Sequence, residues 1–173
     1  MELKELLCRT TTLFKVDNLD DLGQALMNCV LSNNNTTYQA FADMVDGDLS
    51  VDWLQMIYQY YMADRENLKQ DYTPKCLAEL LAKYAQTNDT NKIIDICAGS
   101  GALTIQQWNL NKNIIAECQE VDKNVIPYLL FNIALRNIQG NVCHKDVLLN
   151  KVFETYILTR GDKFAIVYKQ STV

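Results

Sequence analysis

The residues best suited to binding chemistry form a short turn in the middle of the sequence. The stretch "NKIIDICAGSGALTIQQW", residues 91 to 108, runs from an apolar strand pattern into Asp95, then through Gly99 and Gly101 into a helical pattern. Glycine lets the backbone approach a ligand closely, and the helix that follows presents N–H groups without partners in the helix. The pattern predicts a turn that binds a nucleotide-type ligand. The alternative is a tight strand–helix turn that binds nothing.

Acidic residues also follow the next two predicted strands. Glu120 ends the apolar stretch "IIAECQEV", and Asp146 follows the stretch "GNVCH". Because the carboxyl ends of parallel strands meet at one edge of a sheet, these carboxylates are expected to converge near the glycine turn. Glu120 is placed to accept hydrogen bonds from ribose hydroxyls, and Asp146 from an adenine amino group. A dinucleotide-dependent oxidoreductase fits less well, because Thr104 stands where that fingerprint has its third glycine or alanine.

The elements that position these residues predict an α/β fold from residue 71 onwards. Strand patterns "KIIDI", "IIAECQEV", "GNVCH" and "KFAIVYK" alternate with helical patterns, as in βαβ units on a parallel sheet, while "KVFETYIL" is ambiguous. The helix "YTPKCLAELLAKYA" is expected to have Thr73 as its N-cap and Pro74 at its first position. Its predicted apolar face consists of Leu77, Leu80, Leu81 and Tyr84.

The first 70 residues are predicted to be helical. Asn18 and Ser50 are candidate N-caps, and leucines and aromatic residues follow each at helical spacing. We interpret the aromatic stripe that includes Trp53 and Tyr58 as packing between helices. The predicted organisation is therefore a helical region at residues 1–70 and a ligand-binding α/β domain at residues 71–173.

Composition limits the classes of function. The net charge is −5, and the first 70 residues hold 5 Lys and Arg against 11 Asp and Glu, so binding of DNA by the chain alone is not expected. The six cysteines include no C-x-x-C pair, which predicts reduced thiols and no metal site. No apolar run is long enough to span a membrane, and the start lacks the apolar core of a signal peptide. We expect a cytoplasmic protein.

The motifs in this order resemble a known family. "DYTP" about 20 residues before "DICAGSGALT", then "QEVDKNVIPYLLFNIALRNI" and "KDVLLN", are similar to the S-adenosylmethionine-binding half of N6-adenine DNA methyltransferases. The modification subunits of type I restriction-modification systems match best. The resemblance covers roughly residues 70 to 150 and implies a Rossmann-like class I methyltransferase fold with S-adenosylmethionine as cofactor.

The resemblance also implies roles for individual residues around the methionine end of the cofactor. Ile96 stands where the family usually has proline, which is a mild departure. The residues that the resemblance places there are Tyr72, Thr73 and Pro74 before the helix, and Asp95, Ala98, Gly99 and Gly101 at the turn.

At the nucleoside end, the resemblance implies that Glu120 binds the ribose and that Val121 lies against the adenine ring. Asp146 would accept a hydrogen bond from the adenine amino group. A His-Lys pair precedes Asp146 where the family commonly has glycine, and this weakens the assignment of Asp146.

One catalytic motif of the resembled family is missing. An N-P-P-Y/F motif after the fourth strand holds the flipped base and its amino group in that family. The strand "DKFAIVYKQSTV" supplies the expected context, but the motif's positions fall at Gln170, Ser171 and Thr172. The chain has only two prolines, Pro74 and Pro127, so N-P-P occurs nowhere in it. A sheet of about seven strands and a DNA-recognition region are also expected in an active enzyme, so the sequence predicts a pseudoenzyme when alone.

Three functions follow from these observations. The first is a methyltransferase-like domain that binds S-adenosylmethionine without transferring the methyl group, as a regulator or partner of a complete enzyme. The second is an interaction protein that retains the fold without the ligand. The third is an enzyme completed by another chain or acting on a small substrate. Residues 164–168 are predicted to form an apolar edge strand, which a second copy, the N-terminal helices or a partner protein would cover.

Overall fold

The computed structural model describes residues 1–63, 66, 72–85 and 91–171, and these ranges form a mixed α/β structure. None of the described helices is long and apolar enough to cross a membrane. The helices are α1 Leu3–Phe14, α2 Leu22–Leu31, α3 Asn35–Met44, α4 Trp53–Tyr61, α5 Lys75–Ala85, α6 Ala102–Leu110 and α7 Ile126–Leu135. The strands are β1 Lys92–Asp95, β2 Ile115–Glu120, β3 Gln139–Asp146, β4 Lys151–Thr159 and β5 Ile166–Lys169.

The strands form one sheet in the order β1-β2-β3-β4-β5, and the prediction of a parallel sheet is only partly right. Strands β1, β2 and β3 are parallel, whereas β4 is antiparallel to β3 and β5 is antiparallel to β4. Only residues 147 to 150 separate β3 from β4. A parallel crossover needs about a dozen residues, so this short connection forces a hairpin and makes the ambiguous segment "KVFETYIL" a strand.

The N-terminal helices pack on α7 through a cluster of aromatic rings. Phe131 of α7 is completely buried, and its ring centroid lies 5.5 Å from that of Phe14, 5.0 Å from Tyr38 and 5.1 Å from Phe41. Buried residues from the helices and from the sheet belong to one continuous hydrophobic cluster. The predicted boundary at residues 70–71 lies outside the described residues and stays a prediction.

The structure differs from the prediction at the starts of α4 and α5. Asn18 accepts a hydrogen bond from the Asp20 N–H at 3.1 Å and caps a short 3₁₀ turn that leads into α2. The cap of α4 is Asp52 rather than Ser50, because the Asp52 carboxylate accepts from the Gln55 N–H at 2.9 Å. Helix α5 begins at Lys75, one residue later than predicted, and the Pro74 carbonyl accepts its first hydrogen bonds.

The predicted apolar face of α5 is not buried. The residues of α5 that are buried are Ala78 and Ala82, next to α6, and the Ala82 carbonyl accepts a hydrogen bond from Gln107 Nε2 at 3.1 Å. Alanine lets the two helices approach closely, and the large side chains consequently lie on the other side. The large apolar side chains of α5 that stay exposed are Leu77, Leu80, Leu81 and Tyr84.

The outer edge of β5 contacts the loop between α2 and α3. The Val167 N–H donates to Asn33 Oδ1 at 2.7 Å, and Asn33 Nδ2 donates to the Val167 carbonyl at 3.1 Å. Ile166 and Tyr168 are about half exposed. The N-terminal region thus satisfies the central backbone groups of this edge, while a partner over residues 164–168 stays a prediction.

Candidate functional site

The glycine turn lies between the end of β1 and the start of α6. Gly99 and Gly101 have φ angles of +53° and +100°, in the left-handed region that favours glycine. The Ala98 N–H donates to the Gln119 carbonyl at 3.0 Å, which ties the turn to the end of β2. The turn therefore adopts a conformation that depends on its glycines, at the carboxyl ends of β1 and β2.

Glu120 lies directly beside this turn. Its Oε2 accepts a hydrogen bond from the Gly99 N–H at 2.8 Å, and its Oε1 accepts from the N–H groups of Val121 and Asp122, both at 2.8 Å. An ionised carboxylate can accept about four hydrogen bonds. Glu120 is therefore oriented by three backbone groups and can still accept a hydrogen bond from a ligand hydroxyl.

Asp95 accepts a hydrogen bond from Thr104, the residue that stands where the dinucleotide fingerprint has glycine or alanine. Thr104 Oγ1 donates to Asp95 Oδ2 at 2.9 Å, from the first turn of α6 back to the end of β1. Desolvation raises the pKa of Asp95, and the hydrogen bond from Thr104 opposes that shift. Thr104 thus has a structural role, which explains why a hydroxyl rather than glycine is found at this position.

An aromatic side chain lies over the glycine turn. A Cβ atom placed on Gly99 would lie 3.8 Å from Tyr72 Cε1, so the ring faces the backbone of the turn. The ring of Tyr72 packs against Tyr58, with 6.1 Å between centroids, and Tyr58 Oη donates to Asp122 Oδ2 at 3.3 Å. Burial, together with Tyr58 and neighbouring carboxylates, raises the pKa of Tyr72, so its phenol stays protonated. The sequence interpretation gave Tyr58 only a packing role.

The other two residues of the Y-T-P motif lie at the start of α5. Pro74 is exposed and its carbonyl accepts from the N–H groups of Leu77 and Ala78. Thr73, which lies between Tyr72 and Pro74 in the sequence, is partly buried. In the described contacts it is Tyr72 that approaches the turn, while Pro74 sets the start of the helix.

The structure does not connect Asp146 to the glycine turn. Asp146 Oδ1 accepts from the N–H groups of Leu148 and Leu149, at 3.0 and 2.9 Å, and so closes the turn before β4. The partner of Glu120 in the register of β2 and β3 is His144, two residues before Asp146. The His144 Nε2 atom lies 3.1 Å from the Val121 carbonyl, and the Val121 side chain is 56% exposed. The end of β3 thus approaches Val121 through His144.

The segment predicted to carry the degenerate motif lies far from the turn. Gln170 follows β5, and its N–H donates to the Thr155 carbonyl of β4 at 2.8 Å. Four strand spacings separate β5 from β1, which corresponds to about 19 Å. Ser171 follows Gln170 and is exposed, and Thr172 lies outside the described residues.

An open cavity lies beside β1. It has a volume of about 660 Å³ and lies between β1, α5 and α6, with Leu81, Ile93, Ile94 and Asp95 among its lining residues. In the part of the chain that the structure describes, β1 pairs only with β2. The Ile94 side chain is 67% exposed. Asp95 and Thr104, which are joined by a hydrogen bond, both line this cavity.

Comparison with known proteins identifies the family. The model of the family "N-6 DNA Methylase" matches residues 49–168, which include α4 to α7, β1 to β4 and all but the last residue of β5. The methylase subunit of the type I restriction enzyme MjaVIII from Methanocaldococcus jannaschii is 28% identical over 116 residues, covering 64% of this chain and 20% of that protein. The release factor glutamine methyltransferase of Clostridium acetobutylicum is 29% identical over 92 residues, covering 53% of this chain and 30% of that protein.

These relatives are much longer proteins, and this chain spans less than a third of the length of either. No solved structure matches it. The family match covers well over half of the chain and includes the glycine turn, Glu120 and all of the sheet except Lys169. This chain belongs to the N-6 DNA methylase family.

Proposed function

We propose that this methyltransferase-like domain binds S-adenosylmethionine at the glycine turn, lacks the groups that hold a methyl acceptor, and acts as a regulator or partner of a complete enzyme. The cofactor-binding unit is a Rossmann-like half formed by β1, β2 and β3 with α6 and α7. The observation that carries the proposal is the hydrogen bond from the Gly99 N–H to the Glu120 carboxylate, at a glycine whose backbone lies close to the ring of Tyr72.

The residues present fit this cofactor. Glu120 is oriented by three backbone N–H groups and retains acceptor capacity for ribose hydroxyls. The backbone of Gly99 lies close to the Tyr72 ring, since a Cβ on Gly99 would be in van der Waals contact with Tyr72 Cε1 at 3.8 Å. Exposed Val121 follows Glu120 and offers an apolar contact for a ring. Asp146 is a weaker candidate, because its carboxylate already closes its own turn.

The two relatives support the assignment of this half to the methyl donor. By their names, one belongs to a restriction enzyme and the other acts on a glutamine of a release factor, so their acceptors differ. Similarity shared with both therefore favours binding of the methyl donor, which methyl transfer to either acceptor requires, over recognition of one acceptor.

When bound, S-adenosylmethionine supplies an electrophilic methyl group on a sulfonium. In this proposal Glu120 orients the ribose, the Gly99–Gly101 backbone accommodates the cofactor, and the neutral Tyr72 ring limits access of water to the turn. An acceptor nitrogen needs a stacking surface and hydrogen-bond acceptors that hold it in line with the methyl group. The 173 residues contain no N-P-P motif to provide them.

Isothermal titration calorimetry with S-adenosylmethionine tests cofactor binding, with NAD and ATP as control ligands. We expect binding of S-adenosylmethionine alone. Glu120→Ala should weaken it about tenfold to a hundredfold, since a hydrogen bond to a charged group contributes about 1.5–3 kcal/mol. Glu117→Ala, on the same strand, is the matched control and should bind as the wild type does. Unchanged affinity in both Glu120→Ala and Gly99→Val would refute the proposed site.

Catalytic incompleteness has its own test. Purified chain is incubated with S-adenosylmethionine carrying a tritiated methyl group and with adenine-containing DNA, and label in the DNA is counted. We expect no transfer by this chain, with a complete N6-adenine DNA methyltransferase as the positive control. Label transferred to adenine by the pure chain would contradict a regulatory role.

The alternative in which another chain completes an active enzyme is favoured by the outer side of β1, because β1 pairs only with β2 among the residues that the structure describes. A strand from a second polypeptide could pair there and cover Ile94 and Leu81, because an unpaired edge presents backbone groups to which a strand can bind. It would also bring new residues next to Asp95 and the glycine turn, where the acceptor must lie.

This alternative is tested by methyl transfer measured on tagged chain purified from its native host cells. Wild type is compared with Ile94→Lys, which places a charge on the exposed side of β1. Transfer activity that is present with the wild type and lost with Ile94→Lys would support completion by another chain. A preparation that binds S-adenosylmethionine but transfers nothing in either form favours the regulator.

A further inference from the structure

A buried hydrogen-bond network links the N-terminal region to the glycine turn. Ser100 lies between the two glycines, and its Oγ donates to Asp52 Oδ2 at 2.7 Å. Asn132 of α7 donates through Nδ2 to Asp52 Oδ1 at 2.8 Å. Asp52, Ser100 and Asn132 are 6%, 1% and 1% exposed, so these hydrogen bonds are shielded from solvent. The centre of the turn is thus bound to the carboxylate that caps α4.

The same network fixes Asp52 itself. Asn132 Nδ2 also donates to the Ser100 carbonyl at 2.9 Å, so one amide holds both the turn and the carboxylate. Arg136 donates to Asn132 Oδ1 at 3.0 Å and to the carbonyls of Leu49 and Val51 at 2.9 and 2.8 Å. The segment that leads into α4 is therefore held against α7, and Asp52 cannot move independently of it.

The position of Ser100 makes this network relevant to binding. A turn with two glycines at positive φ has more conformational freedom than other turns, so contacts outside it must select one conformation. Glu120 binds the Gly99 N–H at the edge of the sheet, and Asp52 binds Ser100 from the protein interior. A buried polar group left without a partner costs free energy, so alternative turn conformations that break the Ser100 bond are disfavoured.

We infer that Asp52 is a positioning residue, which through Ser100 holds the glycine turn in the conformation that binds the cofactor. The N-terminal region then contributes to cofactor affinity through α4, and cofactor binding stabilises the packing of α4 in return, because such coupling is reciprocal. The affinity part of this inference rests on the proposed function, whereas the effect on the turn itself does not.

The test uses the full chain with two variants and a matched control. Ser100→Ala removes the hydroxyl and leaves Asp52 as the cap of α4. Asp52→Ser keeps a capping oxygen on α4 but is too short to reach Ser100. Ser50→Ala is the control, because Ser50 Oγ donates to Asp48 Oδ1 at 2.6 Å in an exposed hydrogen bond of the same kind. Amide hydrogen exchange of residues 98–101 is measured without ligand, and the Kd for S-adenosylmethionine by calorimetry.

We expect Ser100→Ala and Asp52→Ser each to accelerate exchange at residues 98–101 and to raise the Kd by about tenfold, with Ser50→Ala unchanged. The double variant should differ little from Asp52→Ser alone, because Asp52→Ser already removes the hydrogen bond from Ser100 together with the one from Asn132. A role in overall stability alone would lower the melting temperature and leave the Kd of the folded protein unchanged.

Two results would overturn the inference: unchanged exchange at residues 98–101 in both variants, or an unchanged Kd despite faster exchange. If the wild type does not bind S-adenosylmethionine, the proposed function fails. The exchange measurement then decides by itself whether Asp52 positions the turn.

Discussion

At the scale of single residues, the two glycines and the carboxylates around them determine what the site can bind. Gly99 and Gly101 adopt backbone angles that disfavour other residues, and Glu120 and Asp52 each bind one residue of the turn. Two acidic side chains from different parts of the chain thus hold one short segment. Substitutions here affect the site through backbone geometry as much as through lost side-chain contacts.

Gly101→Ala should lower the free energy of unfolding by about 1–3 kcal/mol. Its φ is +100°, and an added Cβ would lie 3.1 Å from Leu129 Cδ1, so the alanine is strained and crowded. Gly23→Ala in α2 is the matched control, because its nearest neighbour would lie at 3.8 Å in a helix, and it should stabilise by about 0.5–1 kcal/mol. Urea denaturation of both variants measures the difference, and equal effects would contradict the argument.

Asp52 should make stability depend on pH. Desolvation raises its pKa, against opposing contributions from Ser100 and Arg136. Because the folded-state pKa lies above the unfolded one, the stabilising contribution of protonation is fully present below the unfolded value and is lost as pH rises through the folded value. Wild type should therefore gain stability relative to Asp52→Asn as pH falls from about 7 towards 4. Urea denaturation at both pH values measures this, and a constant difference would rule it out.

At the scale of secondary-structure elements, short connections and helix caps decide the arrangement. The hairpin from β3 to β4 inserts one antiparallel strand, and β5, which runs in the same direction as β1 to β3, lies four strands away from β1. Helix α5 meets α6 through alanines and leaves its leucines exposed. The edge of β5 is bound by one asparagine from the loop between α2 and α3.

Asn33→Gly should destabilise the fold by about 1–3 kcal/mol and promote self-association. Glycine keeps the left-handed backbone at this position, where φ is 50°, but removes both hydrogen bonds to Val167. Asn150→Gly, also at a φ of 50°, lies in the turn before β4 and is the control. Urea denaturation and light scattering measure both effects, and equal behaviour of the two variants would show that Asn33 does not protect the edge.

At the scale of the whole molecule, the helices and the sheet share one hydrophobic core around α7. Every residue of α7 from Ile126 to Leu135 is buried, between the N-terminal helices and the sheet. The family match begins at residue 49, within the helical region, and so includes α4 with its cap Asp52. We expect these parts to unfold together.

Phe131→Ala should lower the free energy of unfolding by about 3–5 kcal/mol, because it leaves a cavity among Phe14, Tyr38 and Phe41. The two tryptophans report on different regions: Trp108→Phe leaves Trp53 in α4, and Trp53→Phe leaves Trp108 in α6. In both backgrounds Phe131→Ala should shift the urea midpoint of tryptophan fluorescence equally. A shift confined to the Trp53 signal would mean that residues 1–70 unfold separately.

The sequence by itself determined the local features of this protein and its family. The strand, glycine turn and helix of residues 91 to 108, the helical character of the first region and the parallel order of β1 to β3 follow from spacing and periodicity, which act between near neighbours. The resemblance to N6-adenine DNA methyltransferases followed from the order of motifs, and the family comparison confirmed it.

Tertiary structure decided which of these residues meet. Ser50 is the predicted cap of α4, but the actual cap is Asp52, whose buried carboxylate also binds Ser100 and Asn132. Asp146 follows the expected strand, yet the turn after it provides the N–H groups that its carboxylate binds. Leucines at helical spacing predicted the buried face of α5, but close packing against α6 required the alanines. Each outcome depends on contacts between residues distant in sequence, which local patterns do not encode.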